Sequence, residues 1–333
     1  MLFLELNMVK NNMKKEITQS VIWTMWWQGE SNAPPTVKAC IHSMRKNSGN
    51  HPVIVLDQSN YKKYVALPQY IEKKREKGVI SLTHFSDIIR INLLNTYGGL
   101  WLDSTIYVNR QISEEVFEKN FYTVKMNMPN KGISNNQWCG FLLGGTAHNV
   151  IFEEQAELLC RYWKNEDELV DYLLIDYFFY IIFNEIKQAN RELDEVTEYA
   201  GNVLKMQEKM AETTYEVSDF PIFSKLNWKS SVELSNDGKL TLYQKILLDS
   251  GIVDDSQEVY CKDKKYKRKI KSALRHFRKF IDRKRIKKYG FGIQFYGLAN
   301  DLLRTSNGKC AYFFAKQYQN LVLKYLRRYC GAL

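Results

Sequence analysis

The chain has 333 residues, a mass of 39.3 kDa and a formal net charge of +11, with 45% hydrophobic and 14% aromatic residues. That much apolar material excludes a disordered chain, and 17 Gly with 6 Pro exclude collagen-like and low-complexity types. The 6 cysteines are scattered with no Cys-x-x-Cys pair, which points to reduced thiols rather than a disulfide framework or a zinc site.

In chain order, Ser20 to Trp27 reads as a strand and Gly29 to Pro35 as a turn. Val37, Ile41 and Met44 give Thr36 to Asn47 helical spacing. Pro52 to Leu56 is a continuous apolar run closing on Asp57, the pattern of a buried parallel strand. Tyr61 to Lys77 is expected to form a charged helix stopped by Gly78. Phe85 to Tyr97 is a further helix, ended by Gly98-Gly99, and Leu100 to Leu102 is a short strand running into Asp103. Phe141 to Leu143 suggests one more strand, followed by strong helical character from Ile151 to Gln188. Ser224 to Leu248 is mixed and turn-rich, Gly251 to Gln257 is a linker, and Cys310 to Tyr329 reads as a last amphipathic helix. Alternating strands and helices argue for an α/β domain with a mainly parallel sheet over 17–250, and a helical extension over 251–333.

The most apolar stretch, Tyr172 to Phe183, is interrupted by Asp176 and is shorter than the roughly 20 residues a spanning helix needs. Met1 to Leu6 lacks the basic start and cleavage site of an export signal, so a cytoplasmic location is expected. The charge is concentrated in one place. From Lys262 to Lys288 fifteen Lys and Arg stand against two Asp, a net of +13, which leaves −2 for the rest of the chain. Ile270, Ala273, Leu274, Phe277, Phe280 and Ile281 recur there at helical spacing, so the segment suits an anionic membrane surface. A solvated basic helix is the plain alternative. A nucleic-acid partner is not expected, since no helix-turn-helix, zinc-finger or RNA-binding aromatic motif accompanies the charge.

The chemistry concentrates in His84-Phe85-Ser86-Asp87-Ile88-Ile89-Arg90 and Tyr97-Gly98-Gly99-Leu100-Trp101-Leu102-Asp103-Ser104-Thr105. On a helix, His84, Asp87 and Arg90 step by three and share one face. The glycine pair permits a left-handed turn and a close backbone approach. Asp103 then falls at the carboxyl end of a buried strand, where open α/β sheets hold their ligands. Taken singly these are a helix ion pair, a helix stop and a turn cap; their order and spacing make a site. His84 either joins it or is a satisfied structural residue. Asp176, set in an apolar helix, needs a partner or a purpose, whereas Tyr172, Phe178, Phe179 and Tyr180 are assigned to the core.

The stretch resembles the sugar-nucleotide-binding core of Asp-x-Asp glycosyltransferases of the family 32 type, and most closely the bacterial capsular polysaccharide synthesis proteins. The carrying residues are Ile22-Trp23-Thr24-Met25-Trp26-Trp27-Gln28-Gly29, Ser86-Asp87-Ile88-Ile89-Arg90 and Gly98-Gly99-Leu100-Trp101-Leu102-Asp103-Ser104-Thr105. The resemblance implies a GT-A fold, a nucleotide-sugar donor and transfer with retention onto a capsular or cell-surface glycan or lipid-linked glycan acceptor, at the inner face of a bacterial membrane. It implies Trp26 near the base, Asp87, Arg90, Gly98 and Gly99 around the donor, and Asp103 reaching the diphosphate through manganese or magnesium. Lys225, on a late loop, would neutralise the leaving diphosphate, and Asp176 would contact the acceptor or the developing sugar cation; Asp103, Asp176 and Lys225 are thus the expected catalytic residues. The pattern departs at Thr105, where such transferases carry their second carboxylate, which leaves the metal pair Asp103 and Thr105 one charge short. That gap supports a rival reading, a non-catalytic membrane-surface or glycan-binding subunit of a polysaccharide assembly complex.

Overall fold

The computed structural model describes residues 20–127, 132–229, 239–252 and 308–331. The central sheet is built from β1 (Ile22–Met25), β2 (Val53–Leu56), β3 (Gly99–Leu102), β5 (Phe121–Tyr122) and β7 (Leu142–Gly145) in the order β2-β1-β3-β7-β5. β1 runs parallel to β2 and β3, while β7 is antiparallel to both β3 and β5, so β7 alone is reversed within this sheet. Two small ribbons complete the described strands: β4 (Ile106–Val108) pairs with β9 (Phe223–Lys225), and β6 (Lys125–Met126) with β8 (Tyr199–Gly201). The fold is therefore mixed α/β with a mainly parallel central sheet.

The strands are apolar on both faces because both are covered. Trp23, Trp101 and Leu143 point into the larger core, under α3 (Leu82–Tyr97), α5 (Val150–Asn165) and α6 (Leu174–Glu185). Their neighbours Ile22, Leu100, Leu102 and Leu142 point to the other face, with Met44 of α1 (Pro35–Lys46). Of the shorter helices, α2 (Gln69–Glu76) and α4 (Glu115–Glu118) precede α5, and α7 (Lys187–Asp194), α8 (Lys205–Glu208) and α9 (Leu242–Asp249) follow α6.

Two expected helices are broken. Tyr61 to Lys77 divides into a 3₁₀ turn at Tyr61–Lys63 and α2, because Pro68 cannot continue a helix and restricts the residue before it. The run from Ile151 to Gln188 divides into α5, α6 and the start of α7, with a loop over 166–173 between the first two. Tyr162 holds that loop, donating through its hydroxyl to Glu168 O at 2.6 Å and accepting from Val170 N at 2.8 Å.

The last helix, α10 (Gly308–Leu326), packs on the same core as the sheet: Val322 and Leu326 are fully buried in the larger core. Tyr318 donates to Asp171 at 2.8 Å, and Arg328 and Tyr329 both reach Glu166. The end of the expected 251–333 extension is thus part of the same core as the sheet. The basic segment Lys262–Lys288 lies outside the described residues. Among the described residues, no helix is long and apolar enough to cross a membrane.

Candidate active site

The site forms where the sheet's parallel strands end. Ser81 caps α3, accepting from His84 N at 3.3 Å, and the helix carries Asp87 and Arg90 toward the carboxyl end of β3. The return into β3 depends on Gly98 and Gly99, whose φ angles are +68° and +91°. A Cβ on Gly99 would lie 2.3 Å from the carbonyl oxygen of Val21, an impossible contact, so this backbone crosses β1 only because the side chain is missing. These glycines sit at the start of β3 and Asp103 follows its end. Gly98 and Gly99 therefore set the turn and the strand pairing at the opposite end of β3 from Asp103.

At the other end, Asp103 is fixed from several sides. Its amide donates to Phe141 O at 2.9 Å, and its carbonyl accepts from Ile106 N at 2.8 Å, closing the turn into β4. Its Oδ1 accepts from the indole N–H of Trp101 at 2.9 Å and lies 3.3 Å from Nη2 of Arg90. Its Oδ2 accepts from Nζ of Lys225 at 2.6 Å. Lys225 arrives from far along the chain because β9 pairs with β4, setting Lys225 opposite Ile106. Leu226 N donates to Thr105 O at 2.8 Å and extends that pairing. Burial works against the charge of Asp103, but Lys225 and Arg90 outweigh it and hold the carboxyl below the usual carboxylate range.

Arg90 is the hub. The same Nη2 is 2.9 Å from Oδ1 of Asp87, Nη1 donates to Gly140 O, and the guanidinium lies over the Trp101 ring at 5.1 Å. Gly140 makes room: a Cβ there would come within 3.4 Å of Nη1. Burial pushes the Asp87 carboxyl up, opposed by Arg90 and His84. Asp176 borders the same space, 3.9 Å from where a Cβ on Gly140 would lie; it stands in the first turn of α6, and its Oδ1 accepts from the Trp138 indole at 2.9 Å. Burial, reinforced by the Asp87 charge, pushes its carboxyl up to about 7 against that hydrogen bond and Arg90. Asp103, Asp87, Arg90, Lys225 and Asp176 thus converge on one site from four chain segments.

Trp26 lies just past β1, with its ring edge-on to Trp228 at 5.4 Å and its indole nitrogen buried without a hydrogen-bond partner. His84 serves structure: one ring nitrogen meets Ser81 Oγ at 2.7 Å and the other Tyr172 O at 3.2 Å. Phe178 and Phe179 are core residues as expected, but Tyr172 is 57% exposed at the rim, edge-on to His84. The loop over 166–173 explains this, because Tyr172 precedes α6 instead of lying within it. Trp101, Trp138, Gly140 and Phe141 support the charged groups and were not singled out from the sequence. Only Trp101 left a signal, two residues before Asp103 in a strand and therefore on its face.

A family model described as capsular polysaccharide synthesis protein matches residues 4–246. The chain belongs to this family. It is 30% identical over 115 residues to an O-glycosyltransferase, PaGT, of Phomopsis amygdali, covering 32% of this chain and 28% of that protein. It is 27% identical over 107 residues to the O-glycosyltransferase braB of Annulohypoxylon truncatum, covering 29% of this chain and 25% of that protein. The matches therefore span less than a third of these curated relatives. Among solved structures, the PaToxG glycosyltransferase aligns with 59% of this chain and 86% of its own, at a TM-score of 0.37 and 14% identity.

For this capsular synthesis family member, the donor set at Asp103 does not suit the divalent ion expected on Asp103 and Thr105. Magnesium and manganese want several oxygen ligands. Here Oδ1 faces an indole N–H and a guanidinium, and Oδ2 faces an ammonium. The next acid, Asp87, shares the Arg90 nitrogen with Asp103. Among the described residues, no group of three or more His, Cys, Asp and Glu side chains is arranged to hold a metal ion.

Proposed function

We propose that this capsular synthesis family member is a glycosyltransferase with a GT-A-like site, moving a sugar with retention from a nucleotide-sugar donor to a capsular or cell-surface glycan. The observation that carries the reading is the pairing of Asp103 with Arg90 and Lys225 at the carboxyl end of β3. In the proposed complex the base lies toward Trp26, whose ring offers a stacking face. Asp87 accepts from hydroxyls of the donor sugar, and Arg90 and Lys225 face the diphosphate as it leaves. Asp176, near neutrality, sits where a carboxyl group can hydrogen-bond sugar or acceptor hydroxyls. The acceptor, a glycan free or lipid-linked, approaches past the exposed Tyr172. The protein would work in the cytoplasm, held at the inner membrane face through Lys262–Lys288.

The test is donor hydrolysis without acceptor. Full-length protein incubated with UDP-, GDP- and dTDP-linked sugars should slowly release the sugar from at least one of them. Asp103→Asn should lower that rate by about 100-fold or more, the scale for losing a group that organises charge in a transition state, in protein that still unfolds cooperatively. No release from any donor would overturn the reading in favour of a non-catalytic subunit, which the missing carboxylate at Thr105 favours. Equal release by Asp103→Asn would move the chemistry elsewhere.

A further inference from the structure

We propose that Lys225 and Arg90 do the work of a divalent cation in this site, so that the nucleoside diphosphate is bound and released without metal. The inference rests on the transferase reading and concerns how its leaving group is neutralised.

Three observations carry it. First, both cations are already aimed at the carboxylate a metal would need: Nζ of Lys225 is 2.6 Å from Oδ2 of Asp103, and Nη2 of Arg90 is 3.3 Å from Oδ1. A metal could take Asp103 only by displacing an ammonium and lying beside a guanidinium, both of its own sign. Second, neither cation depends on Asp103 alone for its position. The Lys225 backbone is pinned by the β4–β9 pairing and by donation from its amide to Val203 O at 2.8 Å, and Nζ lies over the Phe141 ring at 4.9 Å. Arg90 is held by Asp87, Gly140 and Trp101. Third, the position where such transferases supply a second metal ligand is Thr105, whose carbonyl is taken up by Leu226 N in the extension of the same ribbon that delivers Lys225. The residue change and the lysine therefore occupy one structural unit.

The chemistry balances without an added reagent. The bond from the anomeric carbon to the diphosphate oxygen breaks, and its electron pair leaves with the nucleoside diphosphate. The acceptor oxygen forms the new bond to that carbon, and its proton passes to the departing phosphate. An ammonium has three donors and a guanidinium five, so both can bind phosphate oxygens while remaining bonded to their carboxylates. With Asp87 and Asp103 opposed by Arg90 and Lys225, the pocket is close to neutral before the donor enters. Asp103 then acts as the anchor that aims the lysine.

Calorimetric titration of the full-length protein with UDP, GDP and dTDP, once in EDTA and once in excess manganese chloride, tests this directly. At least one nucleotide should bind with dissociation constants within about threefold in the two conditions. Lys225→Met should weaken that binding in EDTA by about tenfold or more, the scale of one charge-assisted contact. The same variant should recover part of the loss in manganese, because Asp103 is then free to take a cation. Lys225→Arg, which keeps the charge, should stay insensitive to EDTA. Binding by the natural protein that requires manganese would overturn the inference and leave the transferase reading standing. Absence of binding by all three in both conditions would remove the reading as well. Lys225→Met that binds as tightly as the natural protein in EDTA would also overturn the inference.

Discussion

The two sides of the pocket treat a carboxylate in opposite ways. On the β3 side, Asp103 meets an ammonium and a guanidinium, and its charge is favoured despite burial. On the α6 side, Asp176 meets an indole N–H and apolar helix, and burial pushes its carboxyl up to about 7. Both are aspartates within reach of Arg90, so residue type does not decide their state. What differs is where the cations are anchored: β9 delivers Lys225 to one side only. An acid that titrates near pH 7 and an acid held ionised, in one site, can supply both a proton donor for hydroxyls and an anchor for cations.

Removing the shared cation is the harshest way to break this contrast. Arg90 is buried and serves Asp87, Asp103 and Gly140 together. Arg90→Ala leaves Asp87 as a buried carboxylate without its partner, a defect of about 3–5 kcal/mol in comparable buried pairs. The variant should therefore lose a large part of its unfolding free energy in urea as well as its donor binding. A variant that binds donor weakly but unfolds like the natural protein would mean that Asp87 finds another partner.

The Asp176 side is sharpened by pH. A carboxyl raised in the folded state stabilises fully below the ordinary carboxylate value, and that contribution is lost as pH rises through about 7. Asp103, held low, has the opposite sign: its stabilisation is present at neutral pH and is lost as pH falls below the ordinary carboxylate value. Asp176→Asn keeps an oxygen to accept from Trp138 and removes the titration. It should raise stability above pH 7 by on the order of a few kcal/mol and flatten the melting profile between about pH 4 and about pH 7. An unaltered profile would assign the pH dependence to other groups.

The same asymmetry marks what the sequence could reveal. Asp87, Arg90 and Asp103 were legible because they are close in the chain and a helix followed by a strand sets their geometry. The glycine pair was legible as a turn, and its place at the far end of β3 from Asp103 follows from the short strand read between them; the close approach of Gly99 to Val21 was not legible. Lys225 was visible as a candidate only through the resemblance; the ribbon that brings it to Asp103 is three residues long on each strand and too short to leave a pattern. Trp138 and Gly140 reach the site through a loop between β6 and β7, and nothing in their spacing predicts that. Tyr172 was misassigned because an apolar run of helical character hides the break at 166–173, which is made by Tyr162 bonding to Glu168 and Val170.

The smallest expected effect concerns what supports the α6 side from behind. Asp171 lies in the loop that carries Tyr172, with Oδ1 accepting from Leu173 N at 2.8 Å and Oδ2 accepting from the Tyr318 hydroxyl of α10 at 2.8 Å. Burial pushes the Asp171 carboxyl up against both hydrogen bonds. Tyr318→Phe removes one donor and leaves the ring, so its cost should be about 1 kcal/mol, the net worth of a single hydrogen bond. If α10 only fills the core, that cost should appear in stability alone and donor hydrolysis should be unchanged. If it also fixes the rim, the Michaelis constant for acceptor should rise while that for donor stays constant, because Tyr172, next to Asp171, is placed on the proposed path of the acceptor. Equal changes in both constants would mean that the disturbance spreads through α6 to Asp176, and the two sides of the pocket would then not be mechanically separate.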